Sequence, residues 1–137
     1  MNHETDIYIR FAETDAAGHV NSVSYFIYME EARSKFFGAL GFGPKPGEDS
    51  YRFIMASTKC DFLARAYFNQ GLKVSTFVTH IGTKSFRIGH LIREAESGEL
   101  IARGEAVIVC FNFREQKTEP IPDRLRDILQ GQLAMGA

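Results

Sequence analysis

Residues 13–25 read Glu-Thr-Asp-Ala-Ala-Gly-His-Val-Asn-Ser-Val-Ser-Tyr. A carboxylate (Asp15), an imidazole (His19) and an amide side chain (Asn21) stand within seven residues, separated mainly by small side chains. A solvated loop has no need of Ala16-Ala17-Gly18 beside its charges, whereas a chain that passes close to a ligand does. The stretch leads into an apolar segment of helical period, and a helix start carries unpaired amides and about half a positive charge. Such an end suits an oxygen that becomes negative during reaction, and the carboxylate supplies a nucleophile or a base holding water. Each residue also has a plain structural reading. Asp15 can cap a turn, which is the stronger reading on the residues alone, and Asn21 is first of all a helix N-cap.

The elements that must position these residues follow from periodicity. Ile7, Ile9 and Phe11 alternate with Tyr8 and Arg10, predicting a strand over Asp6–Ala12. From Ser22 the period changes. Tyr25, Met29, Ala32, Phe36 and Leu40 recur at helical spacing, and Gly38, Gly41 and the Gly43-Pro44-Lys45-Pro46-Gly47 run end the helix. Phe26, Ile27 and Tyr28 occupy its other faces, so the helix is expected to be enclosed by other structure. Tyr51 to Phe113 reads as strands: a broken one at Asp61–Ala66, alternating ones around Leu72–Thr79 and Phe86–Arg93, a turn at Ser97-Gly98, and a long central strand at Ile101–Phe113. A short helix through Leu125, Ile128 and Leu129 closes the chain.

The 137 residues form one domain, 1–137, without repeats or linkers. Apolar residues make up 45% and the net charge is −1, with no basic stripe and no long apolar run, so neither nucleic acid nor a membrane is an expected partner. The N-terminus lacks the pattern of a signal peptide, and the expected location is the cytoplasm. Cys60 and Cys110 stand far apart without a CxxC or a nearby histidine at ligand spacing, so neither a disulfide framework nor a metal site is expected. Twelve Phe and five Tyr without a Trp fill a core or line an apolar pocket, core filling being the default.

Strand, long helix, then an antiparallel meander predicts an α+β hotdog fold, a curved antiparallel sheet of five to six strands wrapped around one long central helix. A cone-shaped α+β barrel is the alternative, but that fold begins with helices. The segment Arg10-Phe11-Ala12-Glu13-Thr14-Asp15-Ala16-Ala17-Gly18-His19-Val20-Asn21, with Tyr25 and Glu30-Glu31-Ala32-Arg33 beyond it, resembles the signature of the hydroxybenzoyl-CoA thioesterase-like family of hotdog proteins. Weaker echoes lie in Cys60–Phe68, Gly82–Ile88 and Glu119–Leu125. Gly18 to Asn21 is similar to the form found in acyl thioesterases, although Ser22 replaces the usual second Asn.

The resemblance implies an acyl-CoA thioesterase that yields free acid and coenzyme A, with no cofactor beyond the coenzyme A of the substrate. It implies Asp15 as nucleophile or general base and the Ser22 backbone N–H as the carbonyl-binding amide. His19 is a second polar catalytic group or a structural hydrogen-bonder, because the Asn between Asp and His of plant acyl-carrier thioesterases is here Ala17. Gly18, Asn21 and Tyr25 are the nearby substrate-binding candidates. Arg65, Lys84 and Ser85 are candidates for the coenzyme A entry, Arg65 standing where relatives carry Pro. Glu30 and Arg33 are expected to pair on the helix, His80 and His90 to be satisfied sheet residues, and His3 to be disordered. Assembly into a homodimer that pairs into a homotetramer is expected, a hexamer being conceivable. Two other readings stay open: a non-catalytic hotdog that binds an acyl or aromatic ligand, and an enoyl-thioester dehydratase.

Overall fold

The computed structural model describes residues 3–42 and 53–133. The Gly43–Gly47 run and the start of the strand region at Tyr51 lie outside the described residues. The order is β1 (His3–Tyr8), a single 3-10 turn (Phe11–Glu13), α1 (Ser22–Ala39), β2 (Phe53–Phe62), β3 (Gly71–Ile81), β4 (Ser85–Glu94), β5 (Leu100–Asn112), β6 (Lys117–Thr118) and α2 (Asp123–Gly131). The strands make one antiparallel sheet in the order β1-β3-β4-β5-β2, with the short β6 added to β5.

β3 and β4 alternate as their sequences predict. Leu72, Val74, Thr76 and Val78 of β3, with Phe86, Ile88, His90 and Ile92 of β4, point into the core. α1 lays Tyr25, Tyr28, Met29, Ala32, Arg33, Phe36 and Phe37 inward, which includes the expected stripe as far as Phe36, while Leu40 is the half-buried C-cap. Its other face carries Val23 at 66% exposure and Ile27 at 53%, so within one chain the helix is covered on one side and not enclosed. Two apolar clusters result. One joins the first half of α1 to β1 and the ends of β3–β5; the other joins Phe36 and Phe37 to Phe86, Ile88 and α2. Gly104 of β5 gives the Met29 thioether room, since a β-carbon there would strike the Met29 sulfur.

Several boundaries differ from the sequence reading. β1 starts at His3, which is ordered in the strand with its ring against Phe36 at 6.0 Å, and it ends at Tyr8. The chain leaves the sheet there because the Glu13 carboxylate takes the Arg10 amide at 2.8 Å and the 3-10 turn follows. Phe11, read as continuing the apolar alternation of this strand, is in the 3-10 turn and 75% exposed. β2 runs Phe53–Phe62 and not Asp61–Ala66; as an edge strand it is exposed along most of its length and shows no alternation to read. Glu31, not Glu30, makes the helix-surface ion pair, with Lys35 at 2.9 Å. Arg33 instead turns into the core, its Nη1 3.3 Å from Nε2 of His90.

Candidate active site

The quoted loop is a closed, laddered structure. Asn21 N donates to Glu13 O (2.9 Å), Thr14 bridges Val20, and Asp15 N donates to His19 O (2.7 Å). Asp15 is therefore at the tip and Asn21 at the base, one residue before the helix. Asp15 is exposed. Its Oδ1 accepts the Ala17 amide at 2.9 Å and the His19 amide at 3.1 Å, the turn role anticipated for an aspartate here. Its Oδ2 makes no hydrogen bond among the described residues, so one carboxylate oxygen holds the loop and the other faces outward. Gly18 completes the turn at φ +83°, with nothing within 4 Å of where a β-carbon would stand. Glycine is needed for the backbone conformation and not for a close approach.

Asn21 caps α1 as predicted. Its Oδ1 accepts the Ser24 amide at 2.9 Å and the Ser24 hydroxyl at 3.0 Å, while its Nδ2 donates to Glu13 O at 3.0 Å. That leaves the Ser22 and Val23 amides at the helix start without an acceptor among the described residues, on an exposed surface. They are free to donate to an incoming oxygen. His19 is half-buried. Its ring stands edge-on to Tyr67 at 5.0 Å, and its side chain makes no hydrogen bond among the described residues. Tyr25 is a core residue at 4% exposure, packed on Tyr28 and Phe62. Burial pushes its phenol up, partly offset by the Ala66 amide.

Arg65 is near this loop. The Val20 amide bonds Ala66 O at 2.9 Å, so exposed Arg65 precedes the very residue to which the loop is tied. Lys84 and Ser85 are not near it. Lys84 lies in the β3–β4 turn and Ser85 opens β4, beside α2, where Cys110 N donates to Lys84 O and Arg126 donates to the Gly82 and Thr83 carbonyls. The loop lies by the first residues of β3 and this turn follows its last, so the length of the strand, at ~3.3 Å per residue roughly 33 Å, separates them.

Sequence reasoning missed Glu13 and Tyr28. Tyr28 OH, 2% exposed, donates to Glu13 Oε1 at 2.8 Å. A helix tyrosine on the buried face needs an acceptor for its hydroxyl, and that need is the only signal the sequence carried. Also unforeseen is an exposed aromatic group beside the loop, with Phe11 edge-on to Phe68 at 5.7 Å and Tyr67 against His19. The aromatic load is thus divided: Phe36, Phe37 and Phe86 fill the core, while Phe11, Phe62, Tyr67 and Phe68 are 44–75% exposed. Burial pushes both thiols, Cys60 and Cys110, up to about 11, so neither is an activated nucleophile. Among the described residues no cluster of His, Cys, Asp and Glu is arranged to hold a metal ion, and no helix is long and apolar enough to cross a membrane.

Comparison with known proteins places the chain in a family. The family model described as the thioesterase-like superfamily matches residues 9–129. The chain is 26% identical to a 1,4-dihydroxy-2-naphthoyl-CoA hydrolase of Synechococcus elongatus, over 89% of this chain and 90% of that one. It is 31% identical to the protein YsmA of Bacillus subtilis, over 88% and 80%. A solved structure of a predicted thioesterase from Bacillus stearothermophilus superposes with a TM-score of 0.90 at 30% identity, covering 100% of both chains.

Proposed function

The chain belongs to the thioesterase-like superfamily and is a thioester hydrolase, and from that premise we propose that it cleaves an acyl-CoA at the Asp15 loop. The carrying observation is that one closed loop bears a carboxylate oxygen on Asp15 with no hydrogen bond among the described residues and leads directly into a helix start whose Ser22 and Val23 amides are also unbonded among them. In this reading the thioester oxygen sits against the helix start, where those amides and the helix dipole stabilise the charge that develops on it. Asp15 Oδ2 either attacks the carbonyl carbon or takes a proton from the attacking water. Both routes consume one water, break the C–S bond and release acid and free thiol. Oδ1 keeps the carboxylate aimed because two amides grip it. His19 and Arg65 flank the entry, and Gly18 and Asn21 hold the backbone.

Incubation with a panel of short, medium, long and aromatic acyl-CoAs, with free thiol as the readout, tests this. At least one should release coenzyme A at a rate proportional to enzyme. No release from any of them would overturn the reading.

The sheet is read as curling about α1 as the central helix, with two chains joined along β2. That strand is an exposed edge of ten residues, which a solitary chain leaves open to pairing. Joining chains also bears on coenzyme A. Lys84 and Ser85, roughly 33 Å from the loop, reach the same substrate only when a second subunit supplies them. Sedimentation at micromolar concentration should show a dimer or a tetramer built from two dimers, and a monomer would refute the assembly.

A further inference from the structure

We infer that Glu13 and Tyr28 are positioning residues whose hydrogen bond locks the Asp15 loop to the body of α1 and so sets the carboxylate against the helix start. This rests on the reading of Asp15 given above. Glu13 is bonded through both its main chain and its side chain. Its carbonyl takes Asn21 N at 2.9 Å and Asn21 Nδ2 at 3.0 Å, which fastens the loop base to the first turn of the helix. Its Oε1 takes the Arg10 amide and the Tyr28 hydroxyl, each at 2.8 Å. Tyr28 lies six residues into α1 from Ser22, ~9 Å along the axis at 1.5 Å per residue. A loop tied at one point can pivot about it. A second tie ~9 Å further along the same rigid helix removes that freedom.

The second tie is firmly rooted. Tyr28 is packed with Ile7, Ile9, Met29 and Ala32 in the core, so water does not compete for its hydroxyl. Burial, and then the Glu13 carboxylate, push the phenol far up, which keeps it a donor across the working pH range. Glu13 itself is two residues before Asp15 and touches no proposed reacting atom. Its effect therefore passes through geometry, and misplacement of a reacting group by ~1 Å costs about 10²-fold in rate.

Tyr28→Phe removes the hydroxyl and keeps the ring that fills the core. The expected result is a kcat lower by about 10-fold, with KM and melting temperature nearly unchanged, as for a partial loss of orientation. Glu13→Ala should lose at least as much, and Glu13→Gln, whose amide oxygen still accepts both donors, should recover most of it. In an Asp15→Asn background Tyr28→Phe should have no further effect, since no carboxylate remains to be placed. Wild-type turnover in Tyr28→Phe beside an inactive Asp15→Asn would overturn the positioning role alone. So would a full 10-fold loss persisting in the Asp15→Asn background, or a Glu13→Gln no better than Glu13→Ala. Wild-type turnover in Asp15→Asn would instead remove the carboxylate reading and this inference with it.

Discussion

Asp15→Asn is expected to lower kcat by at least ~10²-fold on the best acyl-CoA, the low end of what a general base contributes, and by more if the carboxylate is the nucleophile. The structure makes this substitution a clean one. Asp15 Oδ1 accepts the Ala17 and His19 amides, and an asparagine Oδ1 accepts the same two donors in the same place. Only the outward oxygen changes, becoming an NH2 that neither attacks a carbonyl nor takes a proton from water. The melting temperature should stay close to that of the wild type while thiol release falls. Unaltered kcat in a folded variant would refute the mechanism. A loss of both activity and melting temperature would show that the loop had not kept its shape.

The second large effect is on stability in acid. His90 is wholly buried between Arg33 and Thr76. The Arg33 guanidinium has no acceptor capacity, so its Nη1 donates to Nε2, and Nδ1 carries the proton and donates to Thr76 Oγ1 at 3.1 Å. Burial first, and the Arg33 charge second, lower the imidazole from 6.5 to about 3. The folded state thus holds His90 neutral where the unfolded chain would protonate it. The contribution is complete above about pH 6.5 and is lost as the pH falls toward about 3, at roughly 1.4 kcal/mol per pH unit. Urea unfolding at a series of pH values should give a steeper acid loss for the wild type than for His90→Gln, which still accepts from Arg33 but does not titrate there. Carboxylates contribute equally to both curves. Parallel curves would disprove the neutral buried histidine.

The sequence disclosed what is local. The Asn21 cap, the start of α1 at Ser22 and the alternation of β3 and β4 each follow from a residue and its near neighbours, and each is present. What escaped depends on partners distant in the chain. The buried pairing of Arg33 with His90 spans fifty-seven residues and was read instead as a surface pair with Glu30, because three-residue spacing on a helix is all that a sequence displays. Tyr28 looked like one more apolar helix residue until its hydroxyl was found on Glu13, fifteen residues away. β2 was misplaced because an edge strand exposed on both faces has no buried side to impose a period of two. Lys84 and Ser85 were assigned to the loop's site by resemblance, and a single chain puts them at the other end of β3 from that loop.

The strand order also dictates when the fold can be completed. β2 precedes β3 and β4 in the chain but finds its partner only in β5, Phe53 opposite Cys110 and Phe62 opposite Ala102. The β3–β4–β5 meander closes through short turns and is assembled from local contacts, whereas β2 must wait for all of it, across a loop closure of about forty residues or more. As the chain emerges from the ribosome, its future edge is made early and is not fully paired until Cys110 has been added. A product that stops short of β5 has no native place for β2 and presents Phe53, Ile54, Met55 and Phe62 with open backbone groups to whatever strand it meets.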